Sequence, residues 1–312
     1  MAAPKPMLAT LIDAPFDDPD WLFETKWDGF RVIAKVARGT AALYSRNGGN
    51  VTRRYPAIAA ALAKSRHRAV FDGELVALDK QGRSRFQLLQ NALKEKVRLR
   101  YYVFDLLSLN GEDTRSLPLL ERKRLLRPVL PKSAVIRYSK YVRRYGKRAF
   151  RAAARRGLEG IMGKLAGSPY RSGQRTRDWV KIKSGRRQEV VIVGFTRPRG
   201  SRKHFGALVL ALRKHGAWHY AGHTGTGFNA AMLKSLHARL KSLIRPRKPF
   251  RQRIPNEPAT TWVRPRLVCE VKFTEWTKDG QMRHPAFVGI RGDKPVKNVV
   301  REKELHLKRR SR

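Results

Sequence analysis

Lys26 stands in the run Glu24-Thr25-Lys26-Trp27-Asp28-Gly29-Phe30-Arg31, where a strand-like stretch ends and a loop begins. A lysine amine attacks an α-phosphate when neighbouring cations or desolvation keep it partly unprotonated. Most lysines in turns are only solvated, so this run alone decides nothing. Ser45-Arg46-Asn47-Gly48 sets a guanidinium beside a tight turn, suited to sugar or phosphate, or else an ordinary hairpin turn. Asp72-Gly73-Glu74 reads as a carboxylate at a glycine turn entering a strand. It would hold a ribose hydroxyl or a hydrated metal, or be turn chemistry alone. Phe104 offers a face for a purine, or packs in a core. Glu159, in Leu158-Glu159-Gly160-Ile161-Met162-Gly163-Lys164, is an acid on a short glycine-bounded strand that suits a water-clad magnesium ion. After Arg175, Lys181 and Lys183 alternate onto one strand face, where two ammonium groups would hold triphosphate oxygens or simply face solvent.

The elements that must position these side chains form two groups. Residues 32–36, 69–71, 74–78 and 101–104 are rich in β-branched and aromatic residues and read as strands. Residues 55–65, 119–126 and 146–156 carry apolar residues at helical spacing. From Trp21 to about Lys183 the pattern is a mixed α+β domain. Lys183-Ser184-Gly185-Arg186-Arg187 is polar and glycine-containing, as an interdomain linker should be. Beyond it, strands at 190–194, 207–212, 218–221 and 267–273, with one helix at 230–243, suit a small Greek-key barrel of the OB-fold kind. Lys308-Arg309-Arg310-Ser311-Arg312 is a basic tail, and no internal repeat is visible.

The 312 residues are 41% hydrophobic and 30% charged, enough apolar material for a core in each of two domains. Lys and Arg number 69 against 24 acidic residues, a formal charge of +45. Such an excess repels itself unless a polyanion screens it, so nucleic acid is the expected partner. A membrane surface fits less well, because the basic residues do not line one helix face. Cys269 is the single cysteine, which excludes a disulfide framework and a multi-cysteine zinc site, and suits a reducing cytoplasm. No export signal or apolar run of membrane-spanning length is visible. The expectation is a soluble, unexported chain.

Taken in order, Lys26-Trp27-Asp28-Gly29-Phe30-Arg31, Ser45-Arg46-Asn47-Gly48, Phe71-Asp72-Gly73-Glu74, Phe104-Asp105, Glu159-Gly160-Ile161 and Trp179-Val180-Lys181-Ile182-Lys183 resemble the motifs of the covalent nucleotidyltransferases, within them the ATP-dependent DNA ligases. Val271-Lys272-Phe273-Thr274-Glu275-Trp276-Thr277, Arg283-His284-Pro285 and Arg291-Gly292-Asp293-Lys294 are similar to the OB domain in the ligase module of bacterial DNA ligase D, and the glycine run 222–228 fits there as a barrel turn. The resemblance covers nearly the whole chain. It departs at Met162-Gly163, where a small aliphatic residue and alanine are commoner.

The resemblance implies an α+β fold: an ATP-grasp-like adenylation (nucleotidyltransferase) domain at 1–184, an OB-fold DNA-binding domain at 188–300 and the tail at 301–312. It implies nick sealing through a lysyl-AMP intermediate, with ATP and Mg2+ (or Mn2+) as cofactors. Lys26 is then the nucleophile, and Glu24, Arg31, Arg46, Glu74, Phe104, Arg175, Lys181 and Lys183 bind the nucleotide. Glu74 and Glu159 meet the metal, and Arg291, Asp293 and Lys294 orient pyrophosphate. The implied partner is nicked or broken duplex DNA. A Ku-like end-binding protein and separate polymerase or nuclease chains are companions in keeping with the family, and the enzyme is expected to be a monomer near the bacterial nucleoid. Three rivals are separable: an RNA ligase or capping enzyme by competition between nicked DNA and RNA, an NAD-dependent ligase by its four-cysteine zinc finger, and a non-enzymatic basic binder by the absence of a covalent AMP adduct.

Overall fold

The computed structural model describes residues 3–92, 97–198 and 200–302, so the basic tail at 308–312 lies outside the described residues. Two compact units divide at Ser184/Gly185. The first runs β1 (Leu8–Leu11), β2 (Asp18–Thr25), β3 (Phe30–Ala37), β4 (Thr40–Ser45), α1 (Pro56–Ala63), β5 (Ala69–Leu78), α2 (Phe86–Asn91) and β6 (Arg98–Leu109). It continues through β7 (Glu112–Asp113), α3 (Leu119–Val129), β8 (Ile136–Tyr138), β9 (Tyr141–Arg144), α4 (Gly146–Arg155), β10 (Gly160–Leu165) and β11 (Arg175–Lys183).

These strands make two sheets, ordered β1-β11-β10-β2-β9 and β4-β3-β5-β6-β7, with β8 parallel to β6. Apolar positions on one face of the second sheet, among them Val32, Ala34, Phe71 and Val103, bury against Ile58 and Leu62 of α1 and Leu126 of α3. Met7, Ile33, Phe104, Leu107, Tyr170 and Trp179 form a cluster where the sheets approach each other. Ala153 of α4 packs with Phe23, Ile161 and Val180 of the first sheet.

Two local readings are corrected. Asp72-Gly73-Glu74 is not a turn, because β5 runs unbroken from Ala69 to Leu78. Gly73 serves close approach instead: a Cβ there would sit 2.6 Å from the Tyr101 ring and from the Tyr102 carbonyl oxygen. The register also shifts between Asp72 and Gly73. The polar run 183–187 is mostly strand, since only Ser184 and Gly185 separate β11 from β12 (Arg186–Thr196). Ser184 is itself tied down, its N–H donating to Glu159 at 2.9 Å and its hydroxyl to Leu158 at 2.6 Å.

The second unit continues with β13 (Leu208–Lys214), β14 (Ala217–Thr224), α5 (Ala230–Lys241), β15 (Thr260–Phe273) and β16 (Ala286–Ile290). They form one antiparallel sheet, β14-β13-β12-β15-β16. Its edges meet: Thr226 bridges Ala286, the Phe287 N–H donates to Thr226 at 2.9 Å, and the Thr224 hydroxyl donates to Pro285 at 2.8 Å. The glycine run at 222–228 thus lies where β14 leaves the sheet. Asn229 caps α5 by accepting from the Met232 N–H at 2.8 Å, and Leu236 and Leu240 anchor the helix in the core. Among the described residues no helix is long and apolar enough to cross a membrane.

Candidate active site

Lys26 is the first residue after β2, and its N–H donates to the Gly160 carbonyl at 3.0 Å. Gly160 opens β10 with φ +141, and a Cβ there would come 2.0 Å from the Ile182 carbonyl oxygen. Glycine therefore lets β2, β10 and β11 converge at this end. The convergence brings Lys26 Nζ to 2.5 Å from Glu159 Oε1, with the carboxylate nearly buried and the ammonium partly open. Register places Lys183 opposite Gly160 and Lys181 opposite Met162, which in turn lies opposite Glu24. Lys181, Lys183, Glu24 and Lys164 therefore share one face of the first sheet.

Part of that face is a buried charge network. Glu24 Oε1 is 2.5 Å from Lys123 Nζ and 3.1 Å from Lys164 Nζ, while Oε2 accepts from the Ser139 hydroxyl at 3.0 Å. Glu24 is 3% exposed, and Lys123 and Lys164 are each 1% exposed. Burial alone would raise the Glu24 carboxyl, but the two ammonium groups hold it below the usual range. Burial lowers Lys164 to about 8. Its ammonium lies 4.1 Å from the ring centres of both Phe104 and Trp179, a cation–π arrangement that offsets part of the desolvation.

Arg31, at the start of β3, grips Asp72 through two hydrogen bonds of 2.5 and 2.6 Å. The Tyr170 hydroxyl donates to the same carboxylate at 2.6 Å. Burial works against the Arg31 charge, yet Asp72 raises its pKa above the ordinary arginine value. The guanidinium carbon sits 4.5 Å from the Phe104 ring centre. Phe104 is thus flanked by cations and packed against Trp179, with its ring 7% exposed. Asp72 is a buried anchor, and of the two acids in that motif Glu74 is the one partly open. It lies opposite Arg31 in the register.

Arg46 follows Ser45, which pairs with Val32, so it stands at the same end of the second sheet as Arg31. Its turn is closed by Gly48 N–H donating to Ser45 at 2.8 Å. Arg175 is not brought to the Lys26 end: it begins β11, eight residues before Lys183, and its guanidinium donates to the Ala9 carbonyl. In the second unit Asp293 holds Arg291 through hydrogen bonds of 2.9 and 2.8 Å. Arg291 also reaches Glu270 at 3.3 Å, and Lys294 pairs with Glu189. Lys123, Ser139, Tyr170 and the support role of Asp72 carry no local sequence signal.

A lysine paired with a nearly buried carboxylate at one end of a sheet, in a unit followed by a second one built on a single antiparallel sheet, suits the class of nucleotidyl-transferring ligases. Residues 6–183 match the ATP dependent DNA ligase domain and residues 201–294 the ATP dependent DNA ligase C terminal region. The chain belongs to the ATP-dependent DNA ligase family. It is 40% identical to the multifunctional non-homologous end joining protein LigD of Pseudomonas aeruginosa over 96% of this chain and 36% of that protein. It is 36% identical to its Mycobacterium tuberculosis counterpart over 95% of this chain and 40% of that protein. The chain thus spans well under half the length of these relatives. A mycobacterial DNA ligase D complexed with ATP and MES superposes with a TM-score of 0.75 at 33% identity, covering 96% of this chain and 98% of that one.

Proposed function

We propose that this chain joins breaks in duplex DNA in end-joining repair, with Lys26 as the nucleophile that carries AMP. The observation behind this reading is the Lys26–Glu159 pair at 2.5 Å, in a unit that also holds the buried Glu24, Phe104 and Lys164 and the half-buried Arg31. Lys26 must shed a proton before its amine attacks, and the neighbouring Glu159 carboxylate would receive it. The Lys26 nitrogen then bonds to the α-phosphorus as the bond to pyrophosphate breaks, and pyrophosphate leaves with the electron pair. Lys181 and Lys183 hold phosphate oxygens, Arg31 and Phe104 face the nucleoside, and Arg46 and Glu74 meet its sugar. Glu24 shapes the pocket from inside its lysine pair.

Magnesium commonly keeps several waters and takes one or two carboxylates besides phosphate oxygens, a donor set that Glu159 and Glu74 fit. When bound, the ion neutralises charge on the departing pyrophosphate. AMP then passes to a 5′-phosphate, and a 3′-hydroxyl displaces it to form the phosphodiester. The second unit is read as an OB-fold that orients pyrophosphate through Arg291, Asp293 and Lys294 and binds DNA. Arg175, remote from Lys26 along β11, is read as serving the far end of the nucleotide site.

A cytoplasmic, nucleoid-associated monomer working with a Ku-like protein follows from the same reading. To test it, the protein is incubated with radiolabelled ATP and magnesium, denatured and run on a gel. Label on the protein that is discharged by nicked DNA supports the proposal; the absence of covalent label would reject it.

A further inference from the structure

On the face of the second sheet that carries Arg31 and Glu74, a row of basic side chains lies to one side of the residues assigned to the nucleotide. By strand alternation Arg98, Arg100 and Tyr102 lie on one face of β6, and register sets Arg137 of β8 beside Tyr102. The Tyr102 ring is stacked on Trp27, with centroids 3.7 Å apart and planes 14° apart. Trp27 follows Lys26 directly, and Arg156 caps the C-terminus of α4 three residues before Glu159.

These arginines share one field. Burial raises the Tyr102 phenol, while Arg100, Arg137, Arg156 and Arg98 pull it back down. Burial, then Arg137 and Arg98, lower Arg100 below the usual arginine value. Arg100 donates to the Leu99 carbonyl at 2.7 Å and Arg137 to that of Ser133 at 3.1 Å. Among the described residues no ion pair joins Arg98, Arg100, Arg137 or Arg156 to a carboxylate, and the acid opposite Tyr102 is Glu74.

Guanidinium groups crowded in this way favour a polyanion, and their planar forks match phosphate oxygens. A mononucleotide is too short to be that anion. From Phe104 out to Arg98 the strand runs six residues, roughly 20 Å at the usual rise, and the basic row continues away from the nucleoside pocket.

We propose that Arg100, Arg137 and Arg156, beside the Trp27–Tyr102 shelf, bind the phosphodiester backbone of the DNA strand adjoining the bond being formed. This rests on the DNA-joining reading above, and the shelf offers an aromatic face to a base at the break.

The test is a triple variant, Arg100→Gln, Arg137→Gln and Arg156→Gln, set beside the corresponding triple lysine variant. Self-adenylation with ATP should stay at the wild-type level. The slope of log K against log salt for nicked duplex should become shallower by about 2 to 3, since each neutralised phosphate contributes about 0.9. Sealing of a pre-adenylated nick should fall more than tenfold at physiological salt and recover at low salt or in the lysine variant. An unchanged slope would overturn the proposal, as would adenylation falling in step with sealing, which would assign these arginines to ATP. Should the triple glutamine variant fail to fold, Arg156→Gln, exposed at a helix end, must by itself flatten the slope by about 1, and an unaltered slope there overturns the proposal equally. Failure of the DNA-joining reading is distinguishable, because the wild type would then seal no nicked duplex, pre-adenylated or not, whatever the salt.

Discussion

Replacing Lys123 with methionine keeps most of the apolar stem and removes the ammonium 2.5 Å from Glu24 Oε1. Removing one member of a buried ion pair costs about 3–5 kcal/mol. Here the low end applies, because Lys164 remains 3.1 Å from the same oxygen and Ser139 still donates to the other. About 3 kcal/mol corresponds to a fall in Tm of roughly 6–12 °C for a unit of this size. The sign with pH follows from Glu24, whose carboxyl is held low in the folded wild type. Its contribution is present above the unfolded carboxyl pKa of about 4.3 and is lost as pH falls through the lowered folded value. Without Lys123 the folded value rises, so the deficit of the variant is full at pH 7 and narrows as the buffer is made acidic. Calorimetry or circular dichroism between pH 4 and 8 reads this directly. Adding Glu24→Gln to Lys123→Met should recover part of the lost stability. A Tm change within about 2 °C, or a deficit that does not shrink towards low pH, would refute the network argument.

Lys294→Ala should fail to form enzyme-AMP yet seal a pre-adenylated nick at near wild-type rate; equal loss of both activities would remove its assignment to the first step. Glu159→Gln should slow self-adenylation about 10²- to 10⁴-fold, the usual worth of a positioned proton acceptor, as read by single-turnover label transfer. Asp72→Asn should raise the KM for ATP about 10- to 100-fold, since hydrogen bonds to charged groups are worth about 1.5–3 kcal/mol, with kcat less affected. Wild-type binding to nicked duplex should weaken steeply between low and physiological salt, and a flat titration would contradict the charge reading of the chain.

Lys26, Glu159, Lys181 and Lys183 were legible in the sequence because strand alternation and glycine positions act locally, and the register then sets them at one end of the first sheet. The buried network was not. Arg122 and Lys123 sit in the charged stretch Glu121-Arg122-Lys123-Arg124 of α3, which reads as a solvated face. They are buried because Asp105 and Glu24, far away in the chain, meet them there at 2.7 and 2.5 Å. Asp72 looked like turn chemistry because aspartate and glycine usually break strands. Packing of Gly73 beneath Tyr101 and the Arg31–Tyr170 grip on the carboxylate reverse that preference. The short strand β16 went unread, since its pairing with β15 is set by long-range contacts of the sheet and not by its own five residues.

The measurement closest to the central claim is peptide mapping by mass spectrometry after incubation with ATP and magnesium. The account predicts a single AMP adduct on the peptide that contains Lys26, absent in Lys26→Ala although that variant still unfolds cooperatively. An adduct on another residue, or one that persists in Lys26→Ala, would contradict it.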